Sequence, residues 1–197
     1  MSWIGDPDEA DAAVTAAYER DRAAMGYVAN FTRVFAHRPP VLEAWRGLSG
    51  AVKAAMDPRR YELATLAAAL QLRSSYCSLA HGTVLAEQFD GPAALPAIAA
   101  DPSTAPLSAV DRAVMTLAGK VAAGAAAMTE DDLAELRDLG LDDAEVLDVV
   151  LTAAIRCFFS SVLDAVGAEP DPAYRALDPE VQAALTVGRP IQDAGTG

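Results

Sequence analysis

The chain has 197 residues, 52% of them hydrophobic, with a formal net charge of −13 and only 15 lysines and arginines. That length fits one domain, or one domain with extensions, and can bury a substantial core. An acidic surface repels phosphate backbones, which argues against nucleic-acid binding, and no basic amphipathic helix is present to lie on an anionic membrane. Alanine is abundant and β-branched residues do not dominate, so the expected fold class is all-α. No leader-like N-terminus and no apolar run of about 18 residues is apparent, and two distant cysteines make no disulfide framework. A soluble, cytoplasmic protein is the expectation.

Taken in order, the chain reads as helices separated by punctuation. Asp6-Pro7 is read as the start of a helix running through Val14 and Tyr18 to about Met25, where Gly26 stops it. Phe31, Val34 and Phe35 form a short apolar turn before a break at Arg38-Pro39-Pro40. A second helix carries Val41, Leu42, Trp45 and Leu48 at helical spacing. Asp57-Pro58, an N-cap followed by proline, launches a strongly apolar core helix from Glu62 through Leu72. After Arg73-Ser74-Ser75 a further helix runs through Phe89. Residues 91–106 leave room for one short helix. Ser108 to Asp111, Thr129 to Asp132 and Asp142 to Glu145 are capping-box-like starts of three more. The last of these, Val146 to about Val166, is apolar on nearly all sides and must be buried in the domain or against another subunit. One weak helix fits Pro179 to Leu185, and residues 188–197 read as a mobile tail.

Chemistry concentrates between Glu62 and His81. Ser74 or Ser75 is a natural N-cap, which places Cys77 in the first turn, where free amides and the helix dipole favour a thiolate. His81 follows four residues later on the same face, within hydrogen-bonding reach of the sulfur. Glu62 reaches the same spot if the two helices fold back together. A carboxylate, an imidazole and a capped cysteine then make a proton relay around a nucleophile. Each residue also has a plainer reading. Cys77 can be a small buried hydrophobe, His81 a satisfied core histidine, and Glu62 half of a salt bridge to Arg59, Arg60 or Arg73. Tyr76 is packing or a phenol donor to substrate. Cys157 reads as core, or as a resolving thiol if it lies near Cys77. A metal site is less favoured, because only two histidines and two separated cysteines are available, and no phosphate loop or nucleotide fingerprint is present.

Glu62, eleven residues, Ser74-x-x-Cys77, three residues, His81 resembles the core motif of the AhpD-like alkylhydroperoxidases, within the carboxymuconolactone decarboxylase family. Glu62 matches the family's glutamate, Cys77 its second cysteine and His81 its histidine, while Ser74 stands in the place of its first cysteine. Met25 to His37, Leu107 to Arg112 and Asp164 to Pro170 look like landmarks of that family's peroxidase-related branch.

The resemblance implies a helical bundle of about seven to nine helices over residues 1–170, with 171–197 as a C-terminal extension. It also implies a homo-oligomer and no cofactor or metal. It further implies a thiol peroxidase chemistry that normally needs two thiols, so Cys77 would act alone. Cys77 would be the nucleophile, His81 its base, Glu62 the outer proton-relay member, Ser74 a cap and a hydroxyl donor to the bound substrate, and Tyr76 a substrate contact. Turnover on a small-molecule hydroperoxide would then require an external thiol reductant, either a small molecule or a protein, or Cys157. The alternatives are a cofactor-free lyase or isomerase using Glu62 and His81 as acid and base, and a non-catalytic scaffold that has lost the redox pair.

Overall fold

The computed structural model describes residues 2–195. Among them are ten α-helices and no strand, in keeping with the all-α expectation. In chain order they are α1 (Ala12–Met25), α2 (Asn30–Phe35), α3 (Pro39–Ala55), α4 (Pro58–Gln71), α5 (Ser75–Gln88), α6 (Leu95–Ala100), α7 (Ala109–Gly124), α8 (Glu130–Asp138), α9 (Asp143–Ala165) and α10 (Pro179–Leu185).

The bundle is built around α4. Asp57 caps it by accepting a hydrogen bond from the Arg60 amide, Pro58 opens it, and every residue from Tyr61 to Ala69 is buried. Its alanines let neighbours approach closely while Leu63 and Leu66 fill the gaps, so that α4 packs against α5, α7 and α9. Each such leucine contributes roughly 1.5–3 kcal/mol through burial. The capping boxes expected at Thr129 and Asp142 are both formed, and Ser108 caps α7 through the Asp111 amide.

Several expectations are corrected. Helix α1 starts five residues beyond Asp6-Pro7, because Asp8 turns the chain by accepting from the Ala10 amide and Asp11 then caps the Ala13 amide. Pro39 and Pro40 do not break the chain but form the first turn of α3, where a missing N–H costs nothing. Helix α9 is, by length and composition, long and apolar enough to cross a membrane, contrary to the expectation that no such run exists. Asp148 and Arg156 interrupt the run in the sequence and hide its length, and half of its most apolar window is buried inside the domain.

The tail is also different. Of residues 188–197, Thr196 and Gly197 lie outside the described residues, while the rest begins as a packed segment. The Gly188 amide donates to Ser75 Oγ at 2.7 Å, Ile191 and Gln192 are buried, and the Arg175 guanidinium donates to the carbonyls of both. This segment and α10 lie over the start of α5. A Cβ on Gly188 would sit 2.0 Å from the Arg73 carbonyl oxygen, so any side chain there must push the segment off.

Gly188→Ala is therefore expected to lower stability by about 1–3 kcal/mol, the usual cost of overpacking. Gly119→Ala, in the middle of α7 with nothing within 4 Å of the new Cβ, is expected to raise it by roughly 0.5–1 kcal/mol. Urea unfolding of the two variants against the parent checks both signs.

Candidate functional site

The α4–α5 corner sets the site. Arg73 takes a left-handed conformation, φ 55°, and closes α4 with paired bonds from the Ser74 amide to Ala69 O (2.9 Å) and from the Arg73 amide to Leu70 O (3.0 Å). These are the two bonds of the Schellman motif, with arginine where glycine is usual. Helix α5 then folds back on α4, which brings Glu62 and His81 together.

Glu62 is buried, and its two oxygens are both engaged. Oε2 is 2.5 Å from His81 Nδ1, and Oε1 accepts from Lys53 Nζ at 2.8 Å. Burial pushes the Glu62 carboxyl up, but the bonds from His81 and Lys53 outweigh it and hold the group below its ordinary range. The salt bridges considered from sequence are not formed. Arg59 binds Asp90 and Asp111 instead, and Arg60 lies nearest Asp111 and Glu145. The cation that reaches Glu62 is Lys53, from the end of α3.

His81 is pushed down from 6.5 to about 4, first by burial and then by the nearby Arg156 cation, against the opposing pull of Glu62. It is therefore a neutral imidazole at pH 7 that donates Nδ1–H to an ionised Glu62, which leaves Nε2 as the free base nitrogen.

Cys77 is the third residue of α5 and is buried. The hydrogen bonds to its sulfur come from two residues of α9. Ser160 Oγ donates at 3.1 Å and Arg156 Nη1 at 3.5 Å. No direct hydrogen bond joins Cys77 to His81 among the described residues, which corrects the expectation of a direct link. The two side chains instead line a common cavity of about 130 Å³. Its apolar wall is an aromatic cluster in which Phe159 stacks on Trp45 at 4.1 Å and on Phe35 at 5.1 Å, while Phe31 meets Tyr76 edge-on. Arg156 and Asp171 add charged groups, and Met25, 43% exposed, is the most open part of the rim.

The other candidates are placed less centrally. Ser74 is the N-cap residue of α5, but its hydroxyl makes no capping bond and has no well-formed partner; the half-buried Asp164 carboxyl lies near it. Ser74 does not line the cavity. Tyr76 does, through its ring. Its phenol donates to Asp171 Oδ2 at 2.5 Å and accepts from the Phe31 amide at 3.1 Å, so the hydroxyl is already used. Cys157 is a free, half-buried thiol outside the cavity lining, and burial pushes its pKa up.

Arg156, Ser160, Lys53 and Asp171 were not picked out from sequence. Arg156 carried a signal, as the one cation within the apolar run of α9, and Ser160 follows on the same face one turn later. Nothing local marks Lys53 or Asp171.

No family model matches the sequence, and no curated protein matches it. Solved structures do. The alkylhydroperoxidase AhpD core from Ralstonia eutropha JMP134, an uncharacterized peroxidase-related protein, superposes with a TM-score of 0.79 at 21% identity, covering 88% of this chain and 94% of that one. An uncharacterized peroxidase-related protein from Silicibacter sp. TM1040 gives 0.76 at 19% identity, covering 89% and 94%. The chain thus has the all-helical fold of the AhpD core. At these identities the likeness concerns the fold, and the chemistry must be argued from the site itself.

The ionisation of the pair has a consequence for stability. His81 has a folded pKa below its unfolded one, so between about pH 4 and 6.5 the unfolded chain binds a proton that the folded chain does not. Stability is therefore expected to rise with pH through that window, and the lowered Glu62 pKa acts in the same direction at its acid end. His81→Gln should flatten the rise, as read from urea midpoints between pH 4 and 7.

Proposed function

We propose that the protein is a thiol-dependent peroxidase or oxidoreductase that works through one cysteine, Cys77, with His81 and Glu62 as its proton relay. The observation that carries this reading is the meeting of three features at one small cavity, which Cys77 and His81 line and whose histidine is bonded to Glu62 outside the lining. These are a sulfur with two donors aimed at it, a neutral histidine with a free Nε2, and a carboxylate fixed on that histidine's other nitrogen.

The chemistry balances without a second protein thiol. His81 Nε2 takes the Cys77 proton, through a water or through the hydroperoxide's own hydroxyl, and Glu62 stabilises the imidazolium that forms. The thiolate attacks the terminal peroxide oxygen, an S–O bond forms, the O–O bond breaks, and the leaving alkoxide takes the proton back from His81. The products are a Cys77 sulfenic acid and an alcohol. Two equivalents of an external thiol, from a small molecule or a protein, then return the cysteine and release water and a disulfide. Ser160 and Arg156 act at the sulfur, while Ser74, expected from sequence as a cap and a hydroxyl donor to the substrate, does not line the cavity.

A second reading rests on the absence of a direct Cys77–His81 hydrogen bond. In it, Glu62 and His81 move a proton next to a carbonyl, as in a lyase or isomerase, and Cys77 is part of the wall. The scaffold alternative called for a Glu62 turned away from the cysteine, whereas Glu62 is bonded to a histidine that shares its cavity. A homo-oligomer is also part of the proposal, supported by the exposed Val41 and Leu48 on α3 and Leu147, Leu151 and Phe158 on the adjacent α9.

A hydroperoxide pulse followed by a sulfenic-acid trap and mass spectrometry tests the first reading. The adduct is expected at Cys77, is absent from Cys77→Ser, and should form about 10²–10⁴-fold more slowly in His81→Gln, the usual range for losing a general base. A Cys77 that resists both alkylation and peroxide in the folded protein would rule the peroxidase out and leave the Glu62–His81 proton chemistry.

A further inference from the structure

Arg156 is the most unusual side chain in the cavity. It is 2% exposed, and no carboxylate forms an ion pair with it among the described residues. The carboxylates nearest the cavity are taken by other groups. Glu62 is shared between Lys53 and His81, and the Asp171 oxygens accept from Tyr76 Oη and the Asn30 amide. What the guanidinium does touch is weak: the Cys77 sulfur at 3.5 Å through Nη1, and the Phe159 ring, 5.4 Å from its carbon to the centroid. Its Nε is buried with no hydrogen-bond partner, and so is Nε1 of Trp45, which lines the same cavity.

A buried cation without a counter-ion is costly, and proteins rarely leave one unless something else neutralises it. A guanidinium is also the side chain whose planar fork best matches a carboxylate. Here a cation without a carboxylate partner and a tryptophan whose indole N–H is unpaired line one cavity, beside aromatic rings, in a chain that is otherwise strongly acidic.

We infer that the cavity is built for a small carboxylate, held by Arg156 with Trp45 as a second donor, so that the substrate is an anionic molecule with its reacting group turned toward Cys77 and His81. Size sets the class. An apolar cavity of roughly 150 Å³ accommodates benzene, so about 130 Å³ admits a ligand of about six heavy atoms, such as a short-chain acid. This deepens the reading of the cavity as the active site, but it needs no turnover to be true.

Butyrate and butyramide, matched in size and differing in charge, are the probes. Titration calorimetry at pH 7 on the full chain is expected to show saturable binding of butyrate and at least tenfold weaker binding of butyramide. Arg156→Met should lose at least tenfold in butyrate affinity. Its melting temperature without ligand should equal or exceed the parent's, because an unpaired buried charge has been removed, and butyrate should raise the melting temperature of the parent alone. Equal affinity for the acid and the amide, no binding of either, or full butyrate affinity in Arg156→Met would each overturn the inference. If Arg156→Met does not fold, the acid–amide comparison on the parent decides alone. Because no peroxide is involved, a failure here leaves sulfur oxidation at Cys77 standing, and a failure of that chemistry leaves carboxylate binding standing.

Discussion

Burying the carboxylate of Glu62 is the constraint from which the arrangement of the site follows. An ion at that depth in a helical core is tolerable only if both oxygens are bonded and some positive charge is near. Helix α3 supplies Lys53, whose ammonium remains half in solvent, and α5 supplies the His81 ring. Because Nδ1 is committed to Glu62, the tautomer and orientation of the imidazole are fixed, and Nε2 becomes the nitrogen available for proton transfer. The same bond requires α5 to fold back along α4 in one register, which the left-handed turn at Arg73 permits.

Around that fixed pair the surroundings are apolar, and this gives the few charges present a long reach. Phe31, Phe35, Trp45 and Phe159 pack as one aromatic block beside the sulfur. In such a medium the Arg156 cation interacts strongly with anything nearby, and part of the depression of His81 is its doing. The imidazole and the guanidinium are therefore electrostatically linked, and the guanidinium also reaches the thiol through its hydrogen bond to the sulfur.

Sequence reading located the centre of the site and missed its far wall, for a physical reason. Glu62, Cys77 and His81 sit on two consecutive helices, where cap chemistry and helical spacing govern who can meet whom. Arg156 and Ser160 reach the sulfur from a helix eighty residues on, and only tertiary packing brings them there. Long, strongly apolar helices such as α4 and α9 were legible, as were the starts marked by Asp57, Thr129 and Asp142. The misplaced features have local causes: an extra aspartate turn ahead of α1, prolines absorbed into the first turn of α3, and a serine whose position caps α5 while its hydroxyl does not. The segment after α10 reads as loose because glycine and proline punctuate it, yet glycine is what lets its backbone lie against the Arg73 carbonyl.

The contacts of that last stretch also bear on the order in which the molecule is made. Asp171 accepts hydrogen bonds from Asn30 and Tyr76, and Asn30 in turn donates to Glu169 and Gln192, so the segment that brings Asp171 to the cavity is tied down by contacts up to 162 positions apart in the chain. During synthesis α4 and α5 emerge well before the segment that walls them in. A nascent chain that has reached α9 already holds Glu62, Cys77, His81 and Arg156, but it lacks the side of the cavity formed by Asp171 and Tyr174. For that interval the thiol is less enclosed than it will ever be again, and the finished protein's protection of its sulfur is among the last things folding provides.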